Sequence, residues 1–215
     1  MKHIRVLLAD DHLLVAQSVR QFLQTNFEVI GIAHDGKTML DLALQHKPDV
    51  VVADISMPQL NGIDAARIIR KELRFTKILF LTMHAEIPVL EDAFRAGASG
   101  FVTKTGNCDE LVRAIHIVAR GETYIPPMLA GDLISVLTIT HPENHSETAL
   151  TAKQRQMLQL IAEGKTMKEA ASTMNISTRT AESHKYEVMR RLGVRTTAEL
   201  IRYALRNNLS RPGCL

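Results

Sequence analysis

Short apolar runs alternate with amphipathic stretches along the first 122 residues. The runs are Ile4–Ala9, Val29–Ala33, Val50–Ala53, Ile78–Leu81 and Gly100–Val102, each of strand length. Between them apolar residues recur at helical spacing, as in Val15, Val19 and Phe22, then Ala65, Ile68, Ile69 and Leu73, then Leu111, Ala114, Ile115 and Val118. The alternation predicts five strands and five helices in a parallel sheet. Several runs are apolar at every position rather than at every second one, so both faces of the sheet should be covered, as in a doubly wound α/β fold.

From Gly121 the pattern changes. GETYIPP reads as a turn, Met128–Ile139 as a short apolar helix, and residues 140–148 as a linker without periodicity. Beyond Leu150, helix starts are marked by Thr151 with Gln154, Thr166 with Glu169, and Thr196 with Glu199, each a capping-box spacing; Ser177 opens a fourth helix. Gly164 and Gly193 supply stops. Four short helices with a tight break at Asn175–Ser177 place a helix-turn-helix at the second and third. The expected organisation is an α/β domain over 1–122, a linker over 123–148 and a small all-α domain over 149–215.

Length and charge sharpen this division. At roughly 100–200 residues per domain, 215 residues suit two small domains. Residues 1–122 carry 14 Lys and Arg against 15 Asp and Glu, residues 123–148 none against 3, and residues 149–215 carry 12 against 5. A basic third behind an acidic hinge points to a polyanion as partner of the C-terminal piece. No apolar run reaches the ~20 residues of a membrane span, and the opening MKHIRVLLADDH turns acidic too early for a secretory signal, so a cytoplasmic protein without membrane association is expected. Cys108 and Cys214 match no zinc or redox spacing.

The candidate chemistry lies where strands stop. Asp10 and Asp11 follow the first strand, Asp54 the third, Thr82 the fourth and Lys104 the fifth. In open α/β sheets the carboxyl ends of the strands form the binding crevice, so four segments deliver polar groups to one edge. Clustered carboxylates suit Mg²⁺, and a lysine beside them can hold an anion. A carboxylate can attack phosphorus to give an aspartyl phosphate while cations offset charge on the transferred oxygens. Asp54, ending the run VVVAD before the turn ISMPQLNG with Pro58 and Gly62, is the best placed nucleophile.

LLADDH, ADISMPQLNGIDAARIIR, ILFLTMH and AFRAGASGFVTKT stand in order and spacing in which residues 1–122 resemble the receiver domain of bacterial two-component response regulators. The resemblance implies Asp54 as phosphoacceptor, Asp11 as a direct Mg²⁺ ligand with Asp10 beside it, and Ser56 lending its backbone carbonyl to the metal. It implies that Thr82 and Lys104 contact the phosphoryl oxygens and that Phe101 is the aromatic switch residue. Thr105 follows Lys104 where the family often has proline. Met83, His84 and Ser56 would line the mouth of the site and set the lifetime of the acyl phosphate.

In the third C-terminal helix, about Thr178–Leu192, Ala181, Val188 and Leu192 repeat on one side with His184 beside them. Arg179, Glu182, Ser183, Lys185 and Tyr186 project elsewhere, and Arg190 and Arg191 at the far end suit phosphate. The stretch LTAKQRQMLQLIAEGKTMKEAASTMNISTRTAESHKYEVMRRLGVRTTAELIRYAL resembles the LuxR-type DNA-binding domain, which with the receiver points to the NarL/FixJ branch of response regulators. That resemblance implies base or backbone contacts from Arg179, Glu182, Ser183, Lys185 and Tyr186, phosphate contacts from Lys168, Arg190 and Arg191, and dimerisation through Thr196–Asn207. Gln154, Ala181 and Glu187 depart from the usual acid, valine and asparagine at their positions.

The expected function is that of a phosphorylation-controlled transcription regulator and not an enzyme. Its partners would be a sensor histidine kinase, double-stranded promoter DNA, RNA polymerase and, when phosphorylated, a second copy of itself. Two other readings stay open: a small Mg²⁺-dependent phosphotransferase or phosphatase, and a DNA-binding regulator that works without phosphorylation.

Overall fold

The computed structural model describes residues 3–82, 87–104, 107–127, 130 and 150–206. They belong to two compact units, one N-terminal and one C-terminal. Of the expected helix Met128–Ile139 only Ala130 is described, and residues 140–148 lie outside the described residues.

Strands β1 (Arg5–Ala9), β2 (Glu28–Ala33), β3 (Val50–Asp54), β4 (Lys77–Thr82) and β5 (Gly100–Thr103) form one parallel sheet in the order β2-β1-β3-β4-β5. Helices α1 (Leu13–Leu23), α2 (Gly36–His46), α3 (Gly62–Glu72), α4 (Ile87–Arg95) and α5 (Cys108–Ala119) connect and follow them. The expected five strands and five helices are all present. Val6, Leu8, Val50, Val52, Leu79, Leu81 and Val102 pack against Ala16 and Leu23 of α1 and Leu111, Ala114, Ile115 and Val118 of α5. Side chains alternate along a strand, so Leu7, Val51, Phe80 and Phe101, all fully buried, serve the opposite face. There Phe101 meets Phe94 of α4, and Arg67 of α3 pairs with Asp92 of α4. Cover on both faces explains why these strands are apolar at every position.

The end of β3 and the start of α3 approach so closely that a side chain does not fit between them. The Gly62 amide donates to the carbonyl of Ile55 at 2.8 Å, and a Cβ on Gly62 would stand 2.1 Å from the carbonyl oxygen of Asp54. Within this loop the left-handed backbone belongs to Gln59, with φ of 65°. Gly62 is therefore needed for clearance and not for a positive φ.

Beyond α5 the chain returns to the sheet edge. The Phe101 amide donates to the Tyr124 carbonyl at 3.0 Å, the Tyr124 amide donates to Ser99 at 3.1 Å, and the Tyr124 hydroxyl donates to Glu110 of α5 at 2.8 Å. Residues just past 122, in the stretch read as linker, thus pair with the β5 edge.

The C-terminal unit contains α6 (Ala152–Ala162), α7 (Met167–Thr173), α8 (Thr178–Leu192) and α9 (Thr197–Arg206). Thr151 with Gln154 and Thr166 with Glu169 form reciprocal capping boxes. Thr196 and Glu199 exchange the same pair of bonds, each at 3.2 Å, and Ser177 accepts from the Thr180 amide at 3.1 Å. Gln154 is buried and closes its box through its side-chain oxygen. Gly193 ends α8 in the left-handed conformation at φ 66°. Met157, Leu158, Leu160, Ile161, Ala170, Ala181, Val188, Leu200 and Ala204 join the four helices in one core. Among the described residues no helix is long and apolar enough to cross a membrane.

Two outcomes follow from these contacts. Gly62→Ala is expected to destabilise the N-terminal unit by about 1–3 kcal/mol, the usual cost of overpacking, read as a lower urea midpoint at unchanged slope. Burial, and then the hydrogen bond to Glu110, raise the Tyr124 hydroxyl from 10.0 to about 12. The neutral form is favoured in the folded state, so this contribution is complete below pH 10.0 and is lost as pH rises through about 12. The stability difference between wild type and Tyr124→Phe should therefore shrink across that interval in parallel denaturant titrations.

Candidate functional site

Strand register brings the polar residues together. Ala9 pairs with Ala53, so the next residues, Asp10 and Asp54, stand side by side at the ends of β1 and β3. Asp54 pairs with Leu81, which sets Thr82 one residue further along β4, and Thr82 pairs with Thr103, which precedes Lys104. The Lys104 amide donates to the Thr82 carbonyl at 2.8 Å.

The Lys104 ammonium reaches back over this edge and bridges the two buried acids, donating to Asp10 Oδ2 and to Asp54 Oδ2, each at 2.7 Å. Asp10 and Asp54 have 0% and 1% exposure, so neither carboxylate is solvated by bulk water. The other Asp10 oxygen accepts from the His12 amide at 2.9 Å, and the other Asp54 oxygen accepts from the Ser56 amide at 3.3 Å. Asp11 is partly exposed, and its Oδ1 lies 2.9 Å from Nδ1 of His12. Asp10, Asp11, His12 and Asp54 can each direct one ligand atom into a space within which those atoms lie no more than 4.8 Å apart.

Two buried carboxylates share one lysine here and Asp11 adds a third at the partly exposed rim, leaving an excess of negative charge. Like charges at this spacing repel strongly in a low dielectric. A hard divalent cation held by carboxylate oxygens offsets that repulsion, and the donor set fits one. His12 is the member that sequence reading passed over. It follows directly on Asp10 and Asp11, and the signal for it was only its place in LLADDH.

Thr82 is buried at the end of β4. Phe101 is buried on the side of the sheet that faces α4, with its ring centroid 5.9 Å from Phe80 and 5.0 Å from Phe94. Met83, His84 and Thr105 lie outside the described residues.

The second candidate surface is α8. Ala181 and Val188 are buried, while Arg179, Glu182, Ser183, Tyr186 and Arg190 are exposed at intervals of three and four residues and so form one stripe. Lys185 is partly exposed on the same helix, and Lys168 is exposed on α7. Arg190 and Arg191, expected to contact phosphate, are both hydrogen-bonded to Glu187.

Residues 6–116 match the model of the response regulator receiver domain, and residues 148–204 match that of the luxR family of bacterial regulatory proteins. The transcriptional regulatory protein MctR of Rhizobium johnstonii is 39% identical over 94% of this chain and 93% of its own length. The oxygen regulatory protein NreC of Staphylococcus carnosus is 33% identical over 96% of this chain and 99% of its own. The chain belongs to the response regulators. It is a two-component response regulator whose receiver is followed by a DNA-binding domain of the LuxR type. Among solved structures, one of two RcsB dimers bound to two parallel DNAs superposes at a TM-score of 0.56, with 26% identity over 94% of this chain and 98% of that one.

Replacing Lys104 by Ala leaves Asp10 and Asp54 adjacent, buried and without their shared cation. Removal of one partner from a buried ion pair costs about 3–5 kcal/mol, and a loss of that size is expected in the absence of divalent ions. Thermal unfolding with and without millimolar Mg²⁺ should show a larger metal-induced rise in Tm for the variant than for the wild type.

Proposed function

We propose that this response regulator is switched by phosphorylation of Asp54 and that the switch controls DNA binding by α8. The observation that carries the reading is the in-register placement of Asp10 and Asp54 with Lys104 bridging both at 2.7 Å. In the proposed transfer, an Asp54 carboxylate oxygen attacks the phosphorus of a phosphohistidine on a sensor kinase. The new O–P bond forms as the P–N bond breaks, and the imidazole leaves. Asp10, Asp11, Asp54 and the backbone carbonyl of Ser56 would hold Mg²⁺, which neutralises charge on the phosphoryl oxygens.

Lys104 is already within reach of Asp54, so transfer exchanges a carboxylate partner for a phosphoryl one without moving the ammonium far. Thr82, one residue past the partner of Asp54 on β4, would donate its hydroxyl to the same group. Its movement would change the packing of Phe101 against Phe94 and hence the surface of α4 and β5. The phosphoryl group is held in a single stoichiometric cycle rather than turned over on a small substrate, so the protein is a switch and not an enzyme.

The output is read as binding of promoter DNA by a homodimer joined through α9, with effects on transcription exerted through RNA polymerase. Arg179, Glu182, Ser183, Lys185 and Tyr186 would meet bases or backbone in the major groove, and Lys168, Arg190 and Arg191 the phosphates. The receiver would span residues 1–122 and the DNA-binding domain 149–215. The DNA-bound dimers in the RcsB structure support the output side of this reading.

The test is DNA affinity at fixed salt, with and without a small phosphoryl donor plus Mg²⁺, for wild type and Asp54→Ala on fragments selected from a random library. Intact mass reports phosphorylation. The expected result is that the donor tightens binding in the wild type alone, and that log K falls with log[salt] at a slope of about −0.9 per phosphate neutralised. Equal affinity in all four samples would instead favour a regulator that binds DNA without phosphorylation.

A further inference from the structure

The far end of α8 carries an acid beside the arginines that face phosphate in the reading above. Glu187 stands three and four residues before Arg190 and Arg191, on the same side of the helix, and its carboxylate binds both. Arg190 donates from Nη2 to Oε1 at 2.8 Å and from Nε to Oε2 at 3.0 Å, a two-point fork. Arg191 donates from Nε to Oε1 at 3.0 Å. Both carboxylate oxygens are thus committed to guanidinium groups. Arg190 keeps its Nη1 edge for another anion, and its side chain is 75% exposed. No ion pair of Arg179 or Lys185 is present among the described residues, so the charge cancellation is local to this end of α8.

Isolated exposed ion pairs stabilise folds little, so the trio does not owe its importance to stability. What it does is narrow the rotamers of two long side chains and remove one of two positive charges before any DNA arrives. The hydrogen bonds from Arg190 and then Arg191 hold the Glu187 carboxyl down at about 2, and the acid stays ionised throughout the neutral range.

We infer that Glu187 is a positioning residue of the DNA interface, aligning the guanidinium groups of Arg190 and Arg191 so that they suit one register on the duplex and grip phosphate weakly in others. The inference rests on the reading of α8 as the DNA-facing helix. Phosphate contacts supply affinity in any sequence, whereas fixed geometry favours the register in which base contacts also form. Arginines freed from Glu187 could follow phosphates wherever the helix lands. Binding to random sequence would then gain more than binding to the proper site.

The experiment uses the full chain with a phosphoryl donor and Mg²⁺, over a range of KCl concentrations, on two duplexes of equal length. One duplex is selected from a random library by the wild type; the other is of random sequence. Wild type is compared with Glu187→Gln, and both are repeated in an Arg190→Gln, Arg191→Gln background, with thermal melting as a control on folding. Glu187→Gln is expected to tighten binding to the random duplex several-fold, steepen the salt slope by up to about 0.9, and lower the ratio of selected to random affinity. In the background without the two arginines, the same change should leave that ratio where it was. An unchanged slope and ratio, with the wild type still binding steeply with salt, would overturn the inference while the reading of α8 stands. A loss of affinity for the selected duplex that persists without the arginines would also overturn it, since Glu187 would then act on DNA directly. Failure of the wild type to bind either duplex would overturn the reading of α8 and this inference together.

Discussion

The N-terminal unit is organised around one electrostatic problem, the presence of two buried carboxylates at the ends of adjacent parallel strands. Asp10 and Asp54 are brought together by the β1–β3 register, and Lys104, arriving from beyond β5, is the charge that makes their proximity tolerable. That bridge ties three strand ends into one edge. It also leaves the edge incompletely neutralised, because Asp11 adds a third carboxylate at its rim. An edge held together by a lysine and short of positive charge is suited to hold a hard cation on its carboxylate oxygens.

Clearance is the second constraint. Asp54 is presented at the sheet edge only because α3 can begin almost against it, and the missing side chain at Gly62 permits this approach. A comparable clearance recurs at Gly100, where a Cβ would lie 2.4 Å from the Tyr124 carbonyl oxygen. The chain leaving the receiver is thereby seated on the β5 edge beside buried Phe101, and Phe101 is in contact with α4 through Phe94. The last strand, the α4 side chains and the exit of the receiver therefore share one packed region, so a change in any of them is felt by the others.

In the C-terminal unit the balance differs, since the buried residues are apolar apart from Gln154 and Gln159 and the surface is shaped by charge. Reciprocal caps at Thr151, Thr166 and Thr196 set the helix starts and leave α8 free to present a polar stripe. Along α8 the basic residues are not equivalent. Arg179 and Lys185 have no acid paired with them among the described residues, whereas Arg190 and Arg191 are held by Glu187.

Strand and helix identities in both units could be read from the sequence because they depend on periodicity, on threonine caps and on glycine stops, all local properties of the chain. The convergence of Asp10, Asp54, Thr82 and Lys104 was legible too, since strand ends in a parallel sheet share an edge whatever the loops do. Residue spacing alone could not show that Lys104 divides itself between two acids, that His12 belongs to the same cluster, or that Gly62 serves clearance while Gln59 takes the left-handed turn. It also could not show that Glu187 captures two arginines and does not simply face solvent. Each of these depends on how backbone and side-chain atoms approach one another once the chain is folded. Periodicity and capping act through neighbours in the chain and so are written in the sequence, while hydrogen bonds between residues as distant as Asp10 and Lys104 exist only once the sheet has set the strand ends side by side.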